Sequence, residues 1–357
     1  MQKPRTLAPG VQYFRDPESK NRRLTRHRFY ETFEAWGYQE LVLPIIDYAQ
    51  SFYLSLGAGV EERMYSFVDR DGSLLALRPD ITTLVAKVVA ADGTTELPLR
   101  VWYDGQVFRY ENPKAGQQRE FYQVGIELIG SRSAAAEIEV LLVLLEGLVR
   151  SGLKSAIIPL GHAEFFNGIA ESLNLSEEDA AVLKNLVDHK DSWGIGQLIS
   201  RLDVPQAKQD FLKALPRLAG RREVLARAEQ VVQNPRSRRA LEQLAHTFDE
   251  LSSLGVGEHF LIDLADVRSL DYYTGLIFRV YSESLGFEIG GGGRYDSLIG
   301  KFGRSLPAVG FSIGLERLLA ALEPEGPSPS EWVSTVDFGT ALRQRKENKR
   351  IRMELPL

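Results

Sequence analysis

Cysteine is missing altogether from the 357 residues. That excludes disulfide staples, thiolate nucleophiles and the thiolate zinc sites that hold many small modules together. Histidine is scarce. The five copies, at 27, 162, 189, 246 and 259, form no H-x-x-x-H or H-x-H pair, so no histidine metal centre is expected. Long apolar runs are lacking too: the greasiest stretch, 140–149, is interrupted by Glu146 and is too short to span a bilayer. The opening residues MQKPRTLAPG carry no apolar core of a secretory signal. Neither sign of charge dominates, with 43 Lys and Arg against 48 Asp and Glu, and a net charge of −5 argues against a broad nucleic-acid surface. What is present, 44% hydrophobic and 25% charged residues, is the composition of a globular chain of one large domain or two ordinary ones. A soluble, cytoplasmic protein is expected, with no membrane partner and no cofactor.

The most informative stretch is 100–128, two strands joined by a polar loop at 112–118. On the first strand Val101, Tyr103, Val107, Arg109 and Glu111 share one parity, and Trp102, Phe108 and Tyr110 the other. On the return strand Tyr122, Val124, Ile126 and Leu128 form an apolar face, opposite Arg119, Phe121, Gln123 and Glu127. A half-buried strand more often turns such a mixed face to solvent, but here a phenylalanine stands between an arginine and a glutamine. An aromatic for stacking beside cationic and amide donors is what a nucleotide or amino-acid site requires.

Around this stretch the chain reads as follows. A helix over 21–36 sets Phe29, Phe33 and Trp36 on one face, and Gly37 ends it before a strand at 41–47. Runs at 65–68 and 74–77 make a hairpin around Asp71-Gly72. Arg78-Pro79-Asp80 leads into a helix capped by Asp80 or Thr82. Residues 133–150 form an amphipathic helix with Ile138, Leu141, Leu145 and Leu148 turned to a core. Residues 161–257 read as a helical insertion whose alternating charges are solvated faces, with Ser176 and Asp179 as a capping signal. Strands resume at 259–263, 275–281 and 286–291, and a strand and helix at 307–322 close the domain. Residues 323–357 form a tail that shows no strand–helix alternation and ends in Arg343, Arg345, Lys346, Lys349, Arg350 and Arg352.

Gly310-Phe-Ser312-Ile-Gly314 matches a nucleophile elbow, but that chemistry needs its histidine later in the chain, and all five histidines precede Ser312. The run Gly290 to Gly293 fits neither a dinucleotide fingerprint nor a P-loop; it marks a strand approached closely by a ligand or another backbone.

Three blocks in order, FRYE…GQQREFYQVGIE, VRSLDYYTGLIF (267–278) and GGGGRYD with VGFSIGLERLL (290–319), resemble the class II aminoacyl-tRNA synthetases in their histidyl version. The helix and strand of 21–47 are similar to that family's dimer element, and a dimer through this region is expected, since an exposed face of Phe29, Phe33 and Trp36 is more than one domain edge would leave bare. The resemblance implies an α+β fold, a synthetase-like antiparallel sheet flanked by helices, over residues 1–322. It also implies a histidine pocket of Asp80, Thr82, Gln123, Glu127, Arg268, Tyr272 and Tyr273. Arg268 stands where the family meets the amino-acid carboxylate, Tyr272 and Tyr273 where it lines the imidazole pocket, and Asp80 where it has a glutamate for the α-ammonium.

The nucleotide half matches less well. Arg109, Glu111, Arg119, Phe121 and Arg317 stand at nucleotide positions, but Gln117 replaces a loop arginine that meets the terminal phosphate. Ile81 and Ser269 also replace signature glycines. Losing a guanidinium there removes a charge-assisted contact of about 2–4 kcal/mol, so the nucleotide set reads as vestigial. Past residue 322 a histidyl-tRNA synthetase continues into an anticodon-binding domain of about one hundred residues. This pattern resembles a paralogous family, the regulatory subunits of ATP phosphoribosyltransferase. It implies a non-catalytic chain that binds a short catalytic subunit and senses L-histidine in the first step of histidine biosynthesis, with tRNA not a partner. The alternatives are a truncated synthetase forming histidyl-adenylate and a scaffold with an empty pocket.

Overall fold

A computed structural model describes residues 7–57, 59–93, 96–110, 118–201, 204, 206–267, 272–322, 332–335, 337–347 and 350–353. The chain runs through α1 (Glu18–Ala35), β1 (Gln39–Glu40), β2 (Ile46–Tyr48), α2 (Ala49–Leu56), β3 (Ser66–Val68), β4 (Leu74–Leu77) and α3 (Thr82–Ala91). The long strands β5 (Leu99–Phe108) and β6 (Glu120–Ile129) follow, then α4 (Ala134–Arg150) and β7 (Ala156–His162). Six helices come next: α5 (Ala163–Ser172), α6 (Glu177–Asp188), α7 (Ser192–Ile199), α8 (Gln206–Ala214), α9 (Glu223–Glu229) and α10 (Pro235–Ser253), with β8 (Ala219–Gly220) among them. The domain closes with β9 (Phe260–Asp263), β10 (Leu276–Ser282), β11 (Gly290–Arg294), β12 (Ala308–Gly314) and α11 (Leu315–Ala321).

Nine strands form one sheet in the order β1-β5-β6-β12-β11-β10-β7-β9-β8. The six middle strands are antiparallel, as expected, while β1 with β5 and β7 with β9 are parallel pairs nearer the two edges. The order is not that of the sequence: β12 inserts between β6 and β11, so strands 120–129 and 290–314 become neighbours. This crossover puts the three sequence blocks on one surface.

α4 begins where expected. Its Ser133 side chain accepts from the Ala135 amide at 3.2 Å, satisfying a free N–H of the first turn. Ser176 accepts from the Asp179 amide at 3.1 Å at the start of α6. Leu141, Leu145 and Leu148 are buried in the main core.

Four expectations need correction. The aromatic face of α1 is not a surface: Phe29 and Phe33 are fully buried. Phe33 lies 6.1 Å from Trp102 and 6.0 Å from Phe311, and the Trp36 indole donates to Glu146 at 2.8 Å. Of the strand expected over 41–47 only the end is strand, as part of β2, while β1 lies before it and 41–45 is irregular. β1 pairs with β5, and β2 joins β4 and β3 in a separate three-stranded sheet, because Pro44 lacks the N–H a continuous ladder needs. The strand expected over 286–291 is displaced to 290–294, so the glycine run is itself strand. The tail, finally, does alternate: β13 (Trp332–Thr335) and β14 (Arg350–Met353) pair in parallel with α12 (Phe338–Lys346) between them.

The two sheets are joined by Arg78. Its Nε donates to the Gln106 carbonyl at 2.7 Å and its Nη1 to those of Leu43 and Pro44 at 2.9 and 3.2 Å. Gly105 leaves the room, since a Cβ there would stand 1.9 Å from the guanidinium. No helix among the described residues is long and apolar enough to cross a membrane.

Candidate functional site

A cavity of about 600 Å³ opens on the face of the sheet carrying β6, β12, β11 and β10. Its floor is largely peptide groups, because Gly290, Gly291, Gly292, Gly310 and Gly314 all line it. Of the residues singled out from the sequence, Asp80, Thr82, Arg109, Phe121, Gln123, Glu127, Tyr272, Tyr273 and Arg317 line this one space. Arg119 does not. Its guanidinium lies over the Tyr110 ring at 4.4 Å, and its backbone N–H donates to Gly10 at 2.7 Å, so it fastens the lead-in segment to the start of β6. Arg268, Glu111 and Gln117 lie outside the described residues.

Glu127 is the centre of the pocket. Its carboxylate is 1% exposed and receives three hydroxyls: Thr82 at 2.8 Å and Tyr103 at 3.3 Å on Oε1, and Tyr295 at 2.5 Å on Oε2. Burial pushes its carboxyl up to about 8. The three donors oppose that rise and the nearby Asp80 charge adds to it. Burial likewise holds the phenols of Tyr103, Tyr272 and Tyr295 well above their usual range, so they serve as donors. The rings pack around the carboxylate at steep angles, Tyr272 tilted against Tyr273 at 4.9 Å and edge-to-face with Tyr295 at 5.7 Å. The result is a cage of phenols about a carboxyl group that can present a proton or accept one. That suits an aromatic ring with two nitrogens.

Asp80 does double duty. Its Oδ1 accepts from the Thr83 amide at 2.7 Å and from the Thr83 hydroxyl at 2.8 Å, which is the capping role expected of it. Oδ2 carries no bond among the described residues, and Asp80 lines the cavity. Gln123 is held by a hydrogen bond that its Nε2 donates to the Ser312 hydroxyl at 3.2 Å.

Arginines gather at the other end of the cavity, two of them paired with carboxylates. Arg109 Nε donates to the Pro79 carbonyl at 2.7 Å, and its guanidinium lies 5.3 Å from the centre of the Phe121 ring. Arg279 pairs with Asp266 at 2.6 Å and with Glu288 at 3.6 Å, and Arg317 pairs with the same Glu288 at 3.6 Å.

The sequence reading missed several of these residues. Tyr103 was placed on the correct parity without a role, and Tyr295 sits inside the GGGGRYD block, so both had a signal. Ala181, Lys184, Asn185 and Asp188 of α6 also line the cavity, so this helix of the insertion is not a merely solvated face. Nothing local marks it, because only the fold brings α6 to the sheet.

With this geometry in hand, comparisons with known proteins are specific. The family model for histidyl-tRNA synthetase matches residues 10–318. The chain is 39% identical over 343 residues to an ATP phosphoribosyltransferase regulatory subunit of Desulforamulus reducens, covering 94% of this chain and 84% of that one. It is 38% identical over 296 residues to the protein of the same name in Halothermothrix orenii, covering 82% and 70%. An ATP phosphoribosyltransferase regulatory subunit/histidyl-tRNA synthetase of Bacillus halodurans superposes with a TM-score of 0.88 at 26% identity, over 99% of this chain and 93% of that one. A histidyl-tRNA synthetase of a Nostoc species shares the fold, with a TM-score of 0.81 at 21% identity over 99% and 87%.

Proposed function

Because the chain belongs to the histidyl-tRNA synthetase family, and within it to the ATP phosphoribosyltransferase regulatory subunits, we propose that it is a non-catalytic subunit that binds L-histidine. It passes that signal to a catalytic phosphoribosyltransferase partner at the first step of histidine biosynthesis. The observation that carries this reading is the convergence of Asp80, Gln123, Glu127, Tyr272 and Tyr273 on one cavity. Histidine presents an ammonium, a carboxylate and two ring nitrogens. Asp80 answers the first and the phenol cage with Glu127 the last; Arg268 is assigned the carboxylate through the family pattern alone. Leaving a buried ring nitrogen unpaired costs about 1–3 kcal/mol, so the cage also sets specificity. Calorimetry tests this: Asp80→Asn should lose about 2–4 kcal/mol, some thirty- to a thousandfold in affinity. Equal binding by parent and variant would remove Asp80 from the site.

A second reading, histidyl-adenylate formation, is favoured by Arg109, Phe121 and Arg317 lining the same cavity. Histidine-dependent exchange of pyrophosphate into ATP would establish it, and no exchange above background supports the regulatory reading.

The chain also pairs with a second copy of itself in this proposal, through the small sheet of β2, β4 and β3. There Ile46, Tyr48 and Phe67 are exposed on one face of the sheet, with Val42 just upstream 83% exposed. Monomers seldom leave so much contiguous apolar surface bare. Phe67→Asp is expected to convert a dimer into a monomer in light scattering at micromolar concentration. A parent chain already monomeric there would count against the interface.

A further inference from the structure

Two arginines at the far end of the cavity converge on one carboxylate. Arg279 of β10 and Arg317 of α11 each lie 3.6 Å from an oxygen of Glu288, and Arg317 also donates to the Glu288 carbonyl at 3.2 Å. Behind them Asp266 holds Arg279 at 2.6 Å, with both side chains nearly buried. The charges of this cluster cancel. Two guanidinium groups face two carboxylates, and Arg109 in turn spends its Nε on a main-chain carbonyl. A polyphosphate binds by the opposite arrangement, several cations with unspent donors and no fixed anion among them. The Glu288 side chain is 43% exposed and lines the cavity, so its charge meets any ligand that approaches Arg279 or Arg317.

We propose that Glu288 is a specificity-determining residue that excludes polyphosphates, nucleoside triphosphates among them, from this cavity. Its carboxylate stands where a terminal phosphate would have to lie to reach both arginines. An occupant with a single carboxylate, of amino-acid size, need not enter that end. The proposal deepens the regulatory reading by explaining how a pocket with a stacking aromatic and four lining arginines remains committed to an amino acid. It rests on that reading for the identity of the occupant but not for the exclusion. A bracing role for Glu288 makes the reverse prediction: if it only held Arg279 and Arg317 in place, removing its charge would loosen both and weaken anion binding.

Titration calorimetry with magnesium pyrophosphate, and separately with magnesium ATP, decides between them. Glu288→Gln keeps the shape and removes the charge, and is expected to bind pyrophosphate about tenfold more tightly than the parent, with the gain shrinking as salt is raised. Adding Arg317→Gln to that variant should abolish the gain, which ties it to the arginine pair. Equal affinity of parent and Glu288→Gln, strong or weak, overturns the proposal, as does weaker binding by the variant. Histidine titrated into the parent in the same series tests the amino-acid reading by itself, so the two failures are distinguishable.

Discussion

Gly310→Ala should abolish histidine binding and lower the stability of the fold by about 2–4 kcal/mol. A methyl group at this position would begin 1.7 Å from Glu127 Oε2 and 2.3 Å from the Ile126 carbonyl. Neither neighbour can give. The carbonyl belongs to β6, the strand paired with β12 at this point, and the carboxylate is held by Thr82, Tyr103 and Tyr295. Moving it would strand three buried hydroxyls at once. For a chain of this size each kcal/mol is worth about 2–4 °C in melting temperature, so a fall of about 5–15 °C is expected. The double variant Gly310→Ala with Glu127→Ala should recover part of that loss, because the second change vacates the space, while histidine binding stays lost. A single Gly310→Ala chain that melts with the parent and still binds histidine would show that Glu127 is not fixed where the site needs it.

The second large effect is a pH dependence, and it belongs to Glu127. Burial raises its carboxyl from 4.5 to about 8 in the fold. Between those values the folded chain holds a proton that the unfolded chain has released, so stability falls as pH rises. The contribution is fully present below about 4.5, is lost progressively with alkalinisation, and is gone above about 8. At about 1.4 kcal/mol per pH unit where the difference is greatest, the whole window is worth about 3–5 kcal/mol. Glu127→Gln has no proton to lose, so its melting temperature should stay flat between pH 5 and 9 in the portion due to this group. It should cross the parent's curve on the alkaline side. Parallel curves for parent and variant would mean that the carboxylate is ionised throughout. The amide puts an NH2 donor where a carboxyl oxygen accepts a hydroxyl and can neither take up nor release a proton, so the variant should also bind histidine weakly at every pH.

Much of this fold was legible because its elements announce themselves locally. α4 has its serine cap and apolar stripe, and the turn between β3 and β4 has its Asp-Gly, with Gly72 at φ +87°. The alternation along β6 placed Phe121, Gln123 and Glu127 on one side, and all three meet the cavity. What failed depended on neighbours that lie far away in the chain. The aromatics of α1 read as a surface because nothing in 21–36 reveals that α4 offers Gly147, where a Cβ would meet the Phe29 ring at 2.6 Å. α6 and Glu288 reach the site by way of the strand order, and Arg119 left it for Gly10, a contact across more than a hundred residues. Side-chain periodicity reports which face of an element is apolar, and says nothing about which element will cover it.

The run Gly290 to Gly293 has a consequence for descent. A Cβ at any of the four would press within 2.1–2.6 Å of a carbonyl oxygen on an adjoining strand, so no other residue can be tried there without disturbing the sheet. A floor made of main chain offers selection no alphabet. It can be obstructed by mutation but not retuned, and is passed on whole or lost. Any lineage that changes what this cavity holds must therefore write the change into the rim, at positions such as Gln123, Tyr273, Lys184 or Glu288, where side chains vary without moving a strand.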